Sequence, residues 1–221
     1  MRMVMLSLLL FLMIGTFTGE PLLEELVDLP MFDVQSHGTY SLMLRLEPGG
    51  TMMGRLNVGL WDIVQLGVSY SVIGVVGEGE MDFPSGVSLC LKINPIIEGV
   101  YSPAFTFGVS TERYSGGTEE DLGVYGMVGK SVSGVVPVEI MGGGGYSLSA
   151  EMWEVFCGMD VVLFDQVALL MDYRYLPDGS DGVFNIGGRV MFYGRLGIEL
   201  GVRDLLAVPS RIVKITYLEV F

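Results

Sequence analysis

The sequence predicts an all-β protein: a closed, antiparallel, up-and-down transmembrane β-barrel of about twelve strands, with a short N-terminal helix. Three observations predict it. Apolar and small polar residues alternate along most of the chain, as in "VQLGVSYSV" (64–72), and a period of two is typical of a strand with two different faces. Charged residues make up only 17% of the chain, and glycines number 32. Beyond the N-terminus, the chain lacks the run of about 20 apolar residues that a spanning helix needs.

The first 19 residues predict a signal peptide. Arg2 supplies the positive charge, residues 4–14 form an apolar stretch, and small residues follow at positions 15, 16, 18 and 19. We expect cleavage near residue 19 and export of the chain. Residues 20–37 then form a periplasmic N-terminal segment, in which "EPLLEELVDLPMF" favours a short amphipathic helix ending near Pro30. The barrel is assigned to residues 38–221.

The alternation divides this region into twelve strands, an even number as bacterial single-chain barrels require. The predicted strands are 38–46, 52–61, 64–75, 86–94, 103–111, 122–131, 135–148, 155–164, 167–176, 183–193, 195–203 and 211–221. Tight connections such as "WDI" (61–63), "FDQ" (164–166) and "YG" (193–194) recur in every second position, which is where periplasmic turns are expected. The other connections are mostly longer and acidic.

The composition of the two strand faces indicates lipid on the outside. The polar face carries mainly Gly, Ser, Asn and Gln with a few charges, which suits a narrow lumen. An Arg turned toward lipid would cost about 2–4 kcal/mol at the bilayer midplane, so the register is strongly fixed. Aromatic residues are expected at the periplasmic rim (Trp61, Tyr101, Phe164, Tyr193, Phe221) and at the outer rim (Tyr70, Phe83, Tyr114, Trp153, Tyr175). Membrane lipids are therefore predicted partners.

Charged and amide side chains on the polar face are the candidate functional residues. They are predicted to line the lumen: Arg45, Arg55, Asn57, Lys92, Asp160, Asp172, Arg174, Arg189, Arg195, Glu199 and Arg203. Two interpretations remain open. These groups line a narrow pore for a small solute and set its selectivity, or they pair with one another and fill a small barrel.

The sequence offers few residues for nucleic-acid binding, catalysis, metal binding or phosphate binding. A net charge of −14 argues against nucleic-acid binding. The single histidine, His37, precedes the first strand, and Cys90 and Cys157 fall on opposite faces, so we expect no catalytic residues, no metal site and no cofactor. "GVYGMVGKS" has Val124 where a phosphate-binding loop needs Gly. The "GGGG" at 142–145 is interpreted as a rim or bulge.

The stretch "EPGGTMMGRLNVGLWDIVQLGVSYSVIGVVGEGEMDFPSGVSLCLKI" (47–93), together with Pro103, Ala104, Gly108 and Val109, resembles an uncharacterised family of small bacterial outer-membrane β-barrels. The resemblance implies the fold and the outer membrane of a Gram-negative bacterium, and it implies no known activity. A distant kinship with the YjbH-like, exopolysaccharide-associated outer-membrane proteins is a further expectation.

The last strand also favours an outer-membrane barrel. Val213, Ile215, Tyr217 and Phe221 share one face, which resembles the terminal signal read by the outer-membrane barrel assembly machinery. Glu219 departs from that pattern. The predicted function is a non-enzymatic integral outer-membrane barrel with a structural or narrow-pore transport role. The alternatives are an outer-membrane hydrolase of the lipase or protease kind and a secreted soluble β-barrel that binds a lipid-like ligand.

Overall fold

The computed structural model describes residues 25–77, 80–84, 86–111, 122–134, 136–148, 150–164, 166–175 and 182–221. The strands are β1 (Thr39–Leu46), β2 (Met52–Leu60), β3 (Val64–Val72), β4 (Ser88–Ile96), β5 (Ala104–Ser110), β6 (Gly123–Val132), β7 (Val138–Ser147), β8 (Met152–Phe164), β9 (Val167–Tyr175), β10 (Val183–Phe192), β11 (Leu196–Arg203) and β12 (Ser210–Val220). A 3-10 turn, Pro48–Gly50, joins β1 to β2. No helix within the described ranges is long and apolar enough to cross a membrane.

The twelve strands form one closed barrel in sequence order. Each strand pairs antiparallel with the next, and β12 returns to pair with β1 from Thr39↔Val220 to Leu46↔Val213. The backbone N–H of Phe221 donates to the carbonyl of Gly38 at 2.8 Å, which extends the seam past both strand ends. The predicted closed antiparallel barrel is confirmed.

Side chains alternate between a polar interior and an apolar exterior. On β1, Leu42 and Leu44 are 48% and 38% exposed, whereas Ser41 and Arg45, which flank them, are 0% and 1% exposed. A soluble barrel would show the opposite arrangement, with its apolar side chains packed inside. The unpaired edge that lipid forbids is absent from this closed sheet. The barrel therefore has the exterior of a transmembrane β-barrel.

The two ends of the barrel differ. We call the end that holds Gly38 and Phe221 the terminal rim, and the other end the distal rim. Short turns at the terminal rim join β2 to β3 and β10 to β11. Trp61 and Asp62 have φ of 54° and 60°, and Tyr193 and Gly194 have φ of 52° and 63°, which is the conformation of tight hairpin turns. Exposed aromatic side chains surround this rim: Trp61, Tyr101, Phe164, Tyr193 and Phe221.

Two local expectations are changed by the structure. β8 begins at Met152, three residues before its predicted start, and Trp153 packs against Tyr146 of β7 with ring centroids 4.8 Å apart. The glycines 142–145 lie in the middle of β7 in regular register with both neighbours, so the rim or bulge interpretation is wrong. Tyr114 and the predicted signal peptide lie outside the described residues.

The described N-terminal residues lie inside the barrel. From Glu25 to Pro30 the chain makes bends closed by a bridge between those two residues, and it has no helix there. Residues 20–24 of the predicted helix lie outside the described part of the chain. We call residues 25–35 the plug. Most plug side chains are buried, and Leu26, Val27, Leu29, Met31 and Phe32 pack with inward residues of the wall to form the apolar core of the molecule.

Candidate functional site: the lumen and its plug

The structure places ten of the eleven predicted lumen residues on the inner face. Nine of these are buried, and Arg203 is partly exposed: the nine are Arg45, Arg55, Asn57, Lys92, Asp160, Asp172, Arg174, Arg189 and Glu199. Arg195 differs because it lies in the turn before β11, at the terminal rim. Its side chain is 60% exposed and pairs with Glu219 at 2.8 Å, and it borders the terminal end of the lumen cavity that Glu25 and Lys214 also line.

Inward glycines make room for the plug's apolar side chains. A Cβ atom at Gly129 would lie 2.7 Å from the Cβ of Phe32 and would overlap its ring. A Cβ at Gly201 would lie 2.9 Å from Val27 Cγ1, and one at Gly187 would lie 3.0 Å from Val27 Cγ2. Contacts under 3.0 Å do not occur between real side chains, and a contact of 3.0 Å would force Val27 to move. The inner wall is therefore shaped to the plug.

Glu25 of the plug lies among three cationic side chains. Its carboxylate is 2.8 Å from both Arg55 Nη1 and Lys214 Nζ, and 3.6 Å from Arg45 Nη1. Its backbone carbonyl accepts a hydrogen bond from Arg189 Nη2 at 2.8 Å. A buried carboxylate needs such partners because taking an unpaired charge out of water is costly.

Asp28 forms a second ionic centre toward the distal rim. Its carboxylate accepts hydrogen bonds from Arg45 Nη2, from Arg203 Nε at 2.6 Å and from Asn185 Nδ2 at 3.2 Å. Its backbone N–H donates to Asp172 Oδ2 at 3.0 Å. Arg45 contacts the carboxylates of both Glu25 and Asp28, so the two centres are joined through one guanidinium group.

The wall also satisfies the plug's backbone and amide groups. Lys214 Nζ donates to the carbonyl of Leu26 at 2.5 Å, and Lys92 Nζ donates to that of Met31 at 3.1 Å. Thr106 Oγ1 donates to the carbonyl of Phe32. Near the terminal rim, the N–H of Gln35 donates to Gln65 Oε1 at 3.1 Å. These bonds matter because buried peptide groups without partners are destabilising.

The sequence analysis missed several of these groups. Lys214, Asn185, Thr106 and Gln65 share the inward parity of their strands, so the alternation carried the signal for them. The acidic residues of the plug gave no such signal, because "EELVDLPMF" also matches the pattern of an amphipathic helix. Their position depends on the shape of the assembled lumen.

One ionic cluster lies at the terminal rim, outside the strands' lipid-facing span. The Glu98 carboxylate is 2.8 Å from Lys130 Nζ, and it accepts hydrogen bonds from Ser131 Oγ at 2.8 Å and from Ser131 N at 2.9 Å. Partial burial acts to raise the pKa of Glu98, but the hydrogen bonds from Lys130 and Ser131 outweigh it and hold the pKa below its usual value. The ionised form of Glu98 thus anchors the β4–β5 connection to β6.

The chain's single histidine contacts a turn between two strands. His37 lies at the terminal rim, where its N–H donates to Asp62 Oδ1 at 2.7 Å and its Nδ1 accepts from the N–H of Trp61 at 3.2 Å. The ring therefore serves the β2–β3 turn. Among the residues that the structure describes, no group of three His, Cys, Asp or Glu side chains could hold a metal ion.

No protein-family model and no curated protein matches the chain. Solved outer-membrane structures do match. The KdgM porin aligns with a TM-score of 0.59 at 10% identity, over 81% of this chain and 98% of that chain. The NanC porin gives 0.51 at 10% identity over 82% and 99%, and the COG4313 outer membrane channel from Pseudomonas putida F1 gives 0.51 at 11% over 88% and 100%.

These likenesses establish the fold. The chain has the closed barrel architecture of small outer-membrane porins and channels. A second KdgM structure is described as a complex with disordered oligogalacturonate; its TM-score is 0.60 at 10% identity over 81% of this chain and 98% of that chain. The expected link to YjbH-like proteins finds no support in these comparisons.

Proposed function

We propose that this protein is an integral outer-membrane β-barrel of a Gram-negative bacterium that acts as a narrow, non-enzymatic channel for small solutes and is closed by its own N-terminal plug. The observation that carries this proposal is that a segment of the chain itself, and not the barrel wall, blocks the lumen. The lumen is filled by a terminal segment, residues 25–35, that is joined to β1 through residues 36–38 and is held by ion pairs and side-chain packing. Such a segment can leave the lumen while the wall stays closed.

The location follows from the exterior and from export. Apolar side chains cover the outside between two rims of exposed aromatic residues, which matches a bilayer and its interfaces. The predicted signal peptide at residues 1–19 would direct the chain out of the cytoplasm. Membrane lipids are then its permanent neighbours. The terminal face of Val213, Ile215, Tyr217 and Phe221 would be read by the barrel assembly machinery during insertion.

The similar structures support a transport role. They are named as porins and as an outer membrane channel, and one of them was solved with an oligogalacturonate. A solute-filled lumen is therefore compatible with this architecture. A hydrolase is not favoured, because the ring of His37 is bonded to the β2–β3 turn at the terminal rim. A soluble lipid carrier is not favoured, because its apolar residues would face inward.

Conductance across a planar bilayer tests the proposal. We expect the mature chain, beginning at residue 20, to show little current, and a variant lacking residues 20–35 to show steady open-channel current. A second variant carries a site for a sequence-specific protease at the exposed residues 36–37, so that the plug is cut free only after folding. Heat-modifiable migration in SDS gels checks that each variant is folded. Folded barrels that stay silent after both treatments would refute the channel role.

A further inference from the structure

Cationic side chains are concentrated on one arc of the lumen wall. β10, β11, β12, β1 and β2 are neighbours through the seam, and each of them turns one cation inward. These are Arg189, Arg203, Lys214, Arg45 and Arg55. On the described parts of these five strands, the inward acidic side chain is Glu199, which pairs with Arg189 at 3.0 Å and with Lys214 at 3.1 Å.

The plug supplies most of the remaining negative charge of this arc, and Glu47, which follows β1, adds a carboxylate 2.7 Å from Arg45 Nε. Glu25 neutralises Arg55 and Lys214, and Asp28 neutralises Arg203, while Arg45 contacts both carboxylates. When the plug leaves, Arg55 and Arg203 lose these carboxylates. Cations in a narrow lumen bind anions strongly, because little water is present to solvate or screen them.

We infer that this arc, Arg45, Arg55, Arg189, Arg203 and Lys214, is a binding site for a solute that carries two carboxylates, and that Glu25 and Asp28 occupy it as an internal mimic of that solute. This inference rests on the proposed channel function. The solute and the plug's carboxylates compete for the same guanidinium and ammonium groups. A dicarboxylate in the lumen therefore favours the open state, in addition to being a candidate for transport.

The choice of two carboxylates follows from the geometry. A guanidinium group offers donors in a planar fork that matches carboxylate oxygens, and Arg45 already bridges one carboxylate on each side. Lys214 adds a point charge beside Glu25, and Asn185 adds a neutral donor beside Asp28. A monocarboxylate would fill only one of the two centres and would leave the other cations without an anion.

The first test uses the variant lacking residues 20–35 in a planar bilayer. Under a KCl gradient, we expect a reversal potential of the sign that indicates preferred chloride permeation. A synthetic peptide with the sequence of residues 20–35 should block the current. The same peptide with Glu25→Gln and Asp28→Asn should block about 10- to 100-fold more weakly, since hydrogen bonds to charged groups are among the stronger ones. A scrambled peptide of unchanged composition is the control for net charge, and it should block no better than the doubly substituted one.

The second test uses the full mature chain and a soluble probe. Glutarate should increase the frequency of open events, whereas acetate at equal ionic strength should not. Lys214→Met should reduce the response to glutarate, and Lys130→Met, which removes a cation outside the arc, should leave it unchanged.

The outcomes separate the two proposals. If the variant without the plug is folded but silent, the channel role fails. If it conducts without anion preference, and the native, substituted and scrambled peptides block equally, the dicarboxylate site is refuted while the channel role stands.

Discussion

Substituting Gly129 by valine should drive the plug out of the barrel. Gly129 lies on β6 and is paired on both sides, with Ala104 of β5 and Met141 of β7. The backbone at this point therefore cannot move without breaking ladder bonds. A side chain here would overlap the ring of Phe32, which is fully buried. The plug must yield, because it is held at this point by side-chain packing and by side-chain hydrogen bonds from Thr106 to Phe32 and from Lys92 to Met31, whereas the wall is held by its backbone ladder.

The expected size of the effect follows from the burial of Phe32. Removing a fully buried Phe side chain from its site costs about 1.5–3 kcal/mol, and overpacking a tight site costs about the same, 1–3 kcal/mol. Each 1.4 kcal/mol changes an equilibrium about tenfold. The population with the plug withdrawn should therefore rise by about 10- to 100-fold.

Cleavage by the protease Glu-C measures this population, because it cuts after acidic residues and Glu25 and Asp28 are buried while the plug is in place. In liposomes, Gly129→Val should speed cleavage at these two sites by the stated factor. The matched control is Gly54→Val, at an outward position where a Cβ meets nothing within 4 Å. The double variant Phe32→Ala, Gly129→Val should regain part of the protection, since the valine fills the space that the ring vacates. Equal cleavage of Gly129→Val and wild type would refute the proposed fit between wall and plug.

Three further outcomes are expected. Val68→Arg, on the outward face of β3, should lower the free energy of unfolding from bilayers by about 2–4 kcal/mol, whereas Trp61→Arg at the rim should lower it by about 0–1 kcal/mol. Chemical denaturation in liposomes measures both values. Equal losses would contradict the lipid-facing assignment. Cys157 is exposed on the outer face of β8, so a water-soluble maleimide should leave it unlabelled in liposomes and label it after denaturation; rapid labelling in the folded state would place that face in water. Because the pKa of Glu98 is lowered from 4.5 in the folded protein, its stabilising effect is present at neutral pH and is lost as the pH falls below 4.5. Glu98→Gln should therefore lower the unfolding temperature in SDS at pH 7. A difference between wild type and Glu98→Gln that is equally large at pH 3 would contradict this assignment.

Alternation predicted the strands well because two different solvents select the two faces. In β1 and β10 the outward residues are mostly apolar and the inward ones are mostly small, polar or charged, so a shift of one residue would exchange the two sets. The bounds of β1, β2 and β11 fall within one residue of those predicted. The start of β8 was missed because the turn before it is set by Glu151, with φ of 51°, and no residue there signals a turn as Gly or Pro would.

The plug could not be predicted from local sequence. Its pattern suits a helix in water, and its actual conformation depends on a lumen assembled from strands far apart in the chain. The inward glycines Gly129, Gly187 and Gly201 are ambiguous for the same reason, since a small residue in a lumen strand fits an open pore as well as a filled one. Parity also predicts less at the rims. Arg195 has inward parity and borders the lumen cavity, but it precedes the first residue of β11 and pairs with Glu219.

The short link between the plug and β1 determines the solute concentration at which the proposed channel would open. Residues 36–38 connect the plug's last residue, Gln35, to Thr39 at the seam, so a withdrawn plug stays near the opening it came from. A flexible connection of this kind holds a tethered group at an effective concentration on the order of millimolar. A freely diffusing dicarboxylate competes with the tethered plug, and it must reach a comparable concentration before the barrel opens. The proposed channel would thus stay closed at low dicarboxylate concentrations and open where a dicarboxylate accumulates.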